Sequence, residues 1–381
     1  MSALKFGLNG ISFPPIEAGV DAAKAYEVAG VDFLAYWDQF CLTIPRSIWT
    51  PDLVPAAQYW DIDNWMDSWQ AMAVAAAATE KIGFMTVADS GRRPPPIIAQ
   101  QALTLNNISK GRFMLCMGAG EIKQFSPYDL PRDRPFGRLE EGMKIVRMFF
   151  ESNEPINYDG EIWSLRNAIM GLGAYDDTPP PIMVAGGPGR AMRIASQLSN
   201  GWMSYLPPCG TPEMYAEQVR QLRHGAEQAG RDPDELIVML GCACLVADTE
   251  EEVDQACRNP AMRWDAAALC PDGESFRRMT GRDNPLGPEW SYPRDLIPMN
   301  VGRDDALKII EQVTPEDVRA ARFSGTPYQV ANLLQPYIEA GATHVLTLNY
   351  ADLVLTGDFG DATGGGSAML DLVEIMRKRN P

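Results

Sequence analysis

The sequence predicts an α/β protein built as a (β/α)8 barrel, and three observations carry that prediction. Short apolar runs alternate with amphipathic helical stretches almost from end to end, the pattern of a parallel sheet with crossover helices. The strand-like runs number eight, the count that closes a parallel barrel. The chain has 381 residues, 46% of them hydrophobic, enough for one large core.

In order along the chain, the apolar runs Leu4–Leu8, Phe33–Trp37, Ile82–Val87 and Phe113–Met117 predict the first four strands. The runs Ile182–Val184, Gly201–Tyr205, Ile237–Val246 and His344–Asn349 predict the other four. Helical periodicity fills the gaps over Ala18–Val28, Trp65–Ala78, Pro96–Ile108, Arg138–Phe150, Arg190–Leu198, Glu213–Ala229 and Gly366–Lys378, each with an apolar stripe to lay against a sheet. Two stretches break the rhythm of a single domain spanning 1–381. Near 155–178, alternating apolar residues around Asp159-Gly160 predict a β-hairpin insertion, because that dipeptide suits a tight reversal. A longer insertion near 257–325, rich in Pro, Arg, Asp and Trp, reads as a lid, the usual role of so long an interruption inside a compact domain.

A net charge of −17 without an acidic tail excludes partners dense in phosphate, so neither nucleic acid nor an anionic membrane is expected. No apolar run approaches the roughly 20 residues of a membrane span, and "LKFGLNG" opens a strand without a signal-peptide pattern. The seven cysteines, at 41, 116, 209, 242, 244, 257 and 270, include no C-x-x-C pair. They read as reduced, buried thiols of a cytoplasmic protein. No metal site is expected, since His224 and His344 are the only histidines and no H-E-x-x-H is present. Both are assigned structural roles, because neither falls at the carboxyl end of a strand.

In such a barrel the working residues lie at those carboxyl ends. Here the strands run out into "YWDQF", "MTVADSGRR", "CMGAGEIKQF", "VAGGPGR" and "SYLPP". Asp38 and Glu121 are the carboxylates singled out there, and Gly118, Gly120, Gly186 and Gly187 are positions where a flat ligand can approach bare backbone. In "IMVAGGPGRAMRIASQLSNGW" a strand stops at Gly186-Gly187 and Pro188 fits a first helical turn, which leaves amide N–H groups free for an anion. A tight turn with no ligand would use the same residues. A dinucleotide fingerprint fails, because Met192 stands where a third glycine or alanine is wanted. "DATGGGSAML" reads as a surface loop rather than a second phosphate site, and the tryptophans of "IWTPDLVPAAQYWDIDNWMDSW" suit either a substrate wall or helix packing.

The segments "ATEKIGFMTVADSGRRPPPIIAQQALTLNNISKGRFMLCMGAGE", "RLEEGMKIVRMFF", "YDGEIWSL", "PIMVAGGPGRAMRIASQLSNGW" and "FSGTPYQVANLL" span nearly the whole chain. Together they resemble the bacterial luciferase-like superfamily in its coenzyme F420-dependent oxidoreductase branch. "PRSIW", "DSGRRPP", "LIPMN" and "FSGTP" are most similar to the phthiodiolone ketoreductase group. The resemblance implies a TIM barrel of the luciferase-like type with insertions, F420 as cofactor, and hydride transfer between deazaflavin C5 and a small organic substrate of carbonyl, alcohol or imine type. It implies that Ala185, Gly186, Gly187 and Pro188 hold the phosphate of the cofactor tail. It also implies a non-prolyl cis peptide at Met85-Thr86 bulging against the ring, with Ala88 on the same wall and Asp38, Gly118, Ala119, Gly120 and Glu121 completing the cofactor site. Such a bond costs roughly 3–4 kcal/mol.

By the same resemblance Glu121 faces the reacting carbon as proton donor or acceptor, a role that desolvation among Gly118, Ala119 and Gly120 would favour by raising its pKa. The chain departs from the family at Asp38-Gln39, where many relatives carry Asp-His. Gln39 orients a carbonyl or ring but carries no ionisable proton, leaving Glu121 to act with water, Tyr36, Asp38 or a loop residue. Two other functions stay open: an FMN-dependent luciferase-like monooxygenase, and a non-catalytic deazaflavin-binding barrel. The resemblance further implies a homodimer, for which the small side chains of "MAVAAAAT" permit close helix approach.

Overall fold

The computed structural model describes residues 3–205, 210–355 and 367–381. In chain order the strands are β1 (Lys5–Asn9), β2 (Phe33–Trp37), β3 (Gly83–Asp89), β4 (Phe113–Gly118), β5 (Ile156–Asp159) and β6 (Ser164–Ala168). They continue as β7 (Ile182–Ala185), β8 (Gly201–Tyr205), β9 (Ile237–Val246), β10 (Phe323–Gly325) and β11 (His344–Asn349). Eight of them close a parallel barrel in the order β1-β2-β3-β4-β7-β8-β9-β11, with β1 pairing back onto β11. β5 and β6 form the antiparallel hairpin outside it. β10 adds a short parallel pairing to the end of β9, which no sequence signal foretold.

The helices α1 (Ile16–Val28), α2 (Ser68–Ala77), α3 (Pro95–Ile108), α4 (Pro135–Glu151), α5 (Arg190–Leu198) and α6 (Pro212–Gln228) surround the barrel together with two later helices over Pro327–Glu339 and Ser367–Arg379. Among the described residues no helix is long and apolar enough to cross a membrane. The barrel interior is filled by Phe33, Ala35, Met85, Cys116, Met183, Met203, Met239 and Leu346, each at most 2% exposed. Methionine is a flexible filler for so irregular a space. Gly7 makes room on β1: a Cβ there would lie 2.3 Å from the Phe33 ring. β9 is buried along almost its whole length, as a parallel strand covered on both faces must be.

The stretch from Cys257 onward is largely helical, not an irregular lid. After β9 come α7 (Glu250–Arg258), α8 (Pro260–Ala268), α9 (Gly273–Thr280), α10 (Tyr292–Asp295), α11 (Arg303–Gln312) and α12 (Pro315–Ala320). Then follow α13 (Pro327–Glu339), α14 (Ala351–Leu355) and α15 (Ser367–Arg379). The start signals are local: Asn259 caps α8 ahead of Pro260, Asp272 caps α9, and Thr314 with Asp317 forms a capping box ahead of α12. These helices share a second core with residues 44–62 of the β2–α2 connection, including Ile48, Trp49, Trp264 and Leu296. Two buried polar contacts tie the insertion to Thr43 of the β2–α2 connection, and a third braces the insertion from within. Asp265 takes a 2.6 Å hydrogen bond from Thr43 and an ion pair from Arg322, while the Trp264 indole donates to the Thr43 carbonyl at 3.1 Å.

The expected cis bond at Met85-Thr86 is corrected: the only cis peptide among the described residues is Pro14-Pro15. The strand runs regularly here, with Met85 paired to Ala35 and Met114 and Thr86 to Tyr36 and Leu115. An unbroken ladder on both sides keeps the period-two alternation of side chains. Met85 and Val87 therefore face the barrel interior, while Phe84 and Ala88 pack against the helices.

Candidate active site

The carboxyl ends of the barrel strands open into a cleft of about 810 Å3, within the range of roughly 300–1,000 Å3 usual for small-molecule sites. Gln39, Gly118, Ala119, Gly120, Glu121, Ala185, Gly186, Gly187 and Pro188 line it. The other four sequence-predicted site residues do not. Met85 lies one layer deeper in the interior cluster, and Ala88 faces the helices. Thr86 is fully buried with its hydroxyl on the Tyr36 carbonyl at 3.0 Å. Asp38 is only 4% exposed and is clamped by Arg92 at 2.9 Å and Arg93 at 3.1 Å. Arg93 goes on to Asp67 at 2.6 Å, the cap of α2. Asp38 thus braces the tops of β2 and β3 from behind. Tyr36, offered as an ally of Glu121, sits in the core between barrel and helices.

One corner of the cleft is ionisable. Glu121 leaves the end of β4 and meets the Lys123 ammonium at 3.0 Å. Lys123 is buried, and its other contacts are the Cys41 carbonyl at 3.0 Å and the Gln39 side-chain oxygen at 3.5 Å. Burial pulls its pKa down, but the charge of Glu121 leads a larger opposing effect and the net shift is upward. Gln39 therefore acts as an acceptor that helps seat this lysine. Beside the pair, Asp89 ends β3 and points into the cleft. Burial, reinforced by the negative charges of Glu121 and Asp38, pushes its carboxyl up to about 8. Gly118 and Gly120 flank it: a Cβ on either would lie 3.9 Å or 3.4 Å from the Asp89 carboxyl group, in ordinary contact, while at Gly120 it would clash with the Phe125 ring. Gly120 adopts φ of +90°, and Arg132 fixes that turn by donating twice to its carbonyl, at 3.2 and 2.9 Å.

A second corner is built for an anion. α5 begins at Arg190 after Gly189, with no side chain capping it, so its first amide groups look outward. Gly186 is anchored, its N–H on the Met203 carbonyl at 3.1 Å and its own carbonyl on the Trp202 indole at 2.8 Å. A Cβ at Gly187 would meet nothing within 4 Å, so the backbone there borders open cleft. The helix partial charge and the bare amides favour a phosphate at this point. This arrangement fits the phosphate of a flavin-type cofactor, and the adjoining cleft has the volume for its ring.

The opposite wall is apolar. Phe13 and Trp65 line it with ring centroids 4.3 Å apart, alongside Trp37 and Leu42. The tryptophan-rich stretch thus divides: Trp65 faces the cleft, Trp49 lies in the second core and Trp69 in the main one. The helical insertion contributes Leu269, Ser275, Arg278 and Tyr292 to the same cleft. Sequence reasoning missed Asp89, Lys123, Arg132 and Arg278. Asp89 was findable, because the inward parity of Met85 and Val87 reaches it two residues later. Nothing local marks the other three, which come from loops and the insertion. The tail of "SYLPP" and most of "DATGGGSAML" lie outside the described residues.

Comparison with known proteins bears on this cleft. A family model described as luciferase-like monooxygenase matches residues 7–344. The phthiodiolone/phenolphthiodiolone dimycocerosates ketoreductase of Mycobacterium tuberculosis (strain ATCC 25618 / H37Rv) is 27% identical over 361 residues, 92% of this chain and 93% of that protein. Among solved structures, the coenzyme F420 dependent tetrahydromethanopterin reductase from Methanopyrus kandleri superposes with a TM-score of 0.74 at 18% identity, covering 97% of this chain and 99% of that one. The riboflavin lyase RcaE, solved with modified FMN and riboflavin, superposes with a TM-score of 0.66 at 18% identity, covering 99% and 92%.

Proposed function

Because the chain belongs to the luciferase-like monooxygenase family, we propose that it is a coenzyme F420-dependent oxidoreductase. It would move a hydride between the cofactor and a small organic carbonyl, alcohol or imine. The observation that carries this reading is the meeting, in one cleft, of an uncapped glycine-rich helix start with an ionisable corner and an apolar wall. The preference for F420 is supported by the motif resemblance, by the ketoreductase relative and by an F420-dependent enzyme of the same fold. F420, when bound, supplies the hydride at C5 of its ring.

The residues would divide the remaining work. Gly186, Gly187 and the first amides of α5 bind the cofactor phosphate, and Gly118, Ala119 and Gly120 give close backbone approach. Phe13, Trp65 and Trp37 exclude water from the reacting carbon and favour an apolar substrate. Glu121, with Lys123, forms the ionisable corner at which the proton is exchanged, and Gln39 orients. A homodimer in the cytoplasm is part of the same proposal; the six described cysteines are buried and form no disulfide, which fits a reducing compartment, and mass by light scattering tests the assembly.

The alternative, an FMN-dependent monooxygenase, is favoured by the description of the family model and by the FMN-bearing neighbour. Titration of the purified protein with F420 and with FMN, each followed by its own chromophore, separates them. Binding of F420 in preference to FMN is expected. Tight FMN binding without F420 binding overturns the proposal and promotes the monooxygenase.

A further inference from the structure

The cleft holds a second carboxyl group whose surroundings differ from those of Glu121. Glu121 has a cationic partner, Lys123, at 3.0 Å. Among the described residues, no side chain makes a hydrogen bond or ion pair with the Asp89 carboxyl. It projects from the end of β3 between Gly118 and Gly120 into the same open space that Glu121 borders. Two carboxyl groups side by side, one ion-paired and one without a donor, are the arrangement that separates a carboxylate from a carboxylic acid.

We propose that Asp89 is the proton-holding acid of this cleft, standing beside the Glu121–Lys123 ion pair and exchanging its proton with the heteroatom of the substrate's reacting group. This rests on the reading of the protein as an oxidoreductase acting on a carbonyl, alcohol or imine, and it goes beyond that reading by reassigning the proton. In the reductive direction, a carbonyl carbon takes up a hydride from a reduced deazaflavin. The O–H bond of Asp89 breaks and a new O–H bond forms on the substrate oxygen, so that one carbonyl, one hydride and one proton give one alcohol. Asp89 is left as a carboxylate and regains its proton from water. Oxidation of the alcohol runs the same transfers backwards.

The groups facing Asp89 come from three connections, those after β2, β3 and β4. Glu121 after β4 and Asp38 after β2 oppose its ionisation, while Lys123 and Arg92 favour it. Arg132, from the loop before α4, also feels the Asp89 charge. Asp38 is ion-paired with two arginines behind the site, and the Lys123 charge is shared with Glu121. Burial then decides the outcome, keeping the proton on Asp89 through neutral pH.

The test uses the apoprotein, so that it does not depend on which cofactor binds. Infrared difference spectra recorded across a pH titration should show a protonated-carboxyl band at neutral pH that disappears around pH 8. The band should be absent from Asp89→Asn, and in Glu121→Gln it should persist in acid but disappear at lower pH than in wild type, because the Glu121 charge helps to raise the Asp89 pKa. A wild-type apoprotein with no protonated carboxyl at neutral pH overturns the proposal without any variant being needed. Persistence of the band in Asp89→Asn overturns it too. In turnover assays Asp89→Asn should lose about 10²–10⁴-fold of kcat, with the alkaline limb of the pH profile removed; an unchanged kcat and profile refutes the catalytic role. Failure of wild-type protein to bind F420 would count against the oxidoreductase reading alone, since the infrared result is obtained without cofactor.

Discussion

Lys123, with only 3% of its side chain exposed, places its ammonium 3.0 Å from a carboxylate oxygen of Glu121. A buried ammonium is tolerated only when its charge and donors are met, and Glu121, the Cys41 carbonyl and Gln39 meet them. Glu121→Gln keeps an oxygen for Lys123 but removes the charge. Cofactor affinity is expected to stay near wild type while kcat falls, because Asp89 loses the neighbouring negative charge that helps keep its proton on. Full activity on the true substrate would reduce Glu121 to a seat for Lys123. Gln39→His, which introduces an ionisable ring beside Lys123, is expected to alter the pH profile without being required for turnover, read from kcat against pH.

Gly187→Asp would put a carboxylate into the open space at the start of α5. A Cβ there meets nothing within 4 Å, so folding should be unaffected and the melting temperature should match wild type. Repulsion of a phosphate at a helix N-terminus should weaken cofactor binding at least tenfold, about 1.4 kcal/mol. Unchanged affinity in a fluorescence titration would mean that this turn serves only the chain reversal.

His344 makes stability fall in acid. Burial, with the nearby Lys5 charge adding to it against the pull of Asp32, depresses its pKa to about 4. As pH drops below the unfolded value near 6.5, the unfolded chain takes up a proton that the folded one refuses. Stability is therefore lost progressively from about pH 6.5 down to about 4 and is fully present above that window. The loss is on the order of 3 kcal/mol at about 1.4 kcal/mol per pKa unit. His344→Gln should abolish that part of the acid sensitivity, which urea denaturation at several pH values will show. An identical pH dependence in the variant would contradict it.

Arg322 and Asp265 form an ion pair with side-chain exposures of 1% and 0%. Asp265 also receives the Thr43 hydroxyl. Arg322→Met would leave a buried carboxylate without its cation and should cost about 3–5 kcal/mol. The double variant Arg322→Met/Asp265→Asn should recover much of it. Midpoints of chemical denaturation compare the two, and equal losses in the single and double variants would show that packing, not charge, governs this joint between the insertion and the β2–α2 connection.

The barrel was legible because its signals are local. Phe33–Trp37, Gly201–Tyr205, Ile237–Val246 and His344–Asn349 were read to the residue, since an apolar run between turn signals is visible without knowing its neighbours. Where strands ended on polar residues or glycine the reading stopped early. β3 runs on to Asp89 and β4 to Gly118 because pairing continues there: Asp89 lies opposite Gly118 across the ladder. The Gly186-Gly187 turn was legible for a similar reason, since glycine and proline carry their backbone preferences with them.

The function of each side chain at the mouth was decided by the tertiary fold. Asp38 and Asp89 look alike in sequence, each a carboxylate at a strand end. The strand alternation and the two arginines after β3 turn Asp38 into a buried brace, while Asp89 faces the cleft with no side-chain donor among the described residues. Lys123 and Arg132 come from the loop after β4, and Arg278 from the insertion; they meet the cleft only because the chain brings distant segments together. The sequence by itself determined the barrel and the bare backbone at Gly186-Gly187, since periodicity and glycine conformation are properties of neighbouring residues. Which carboxyl is paired, which is exposed to the cleft and which keeps its proton depend on burial and on charges far apart in the chain, and only the folded structure sets those.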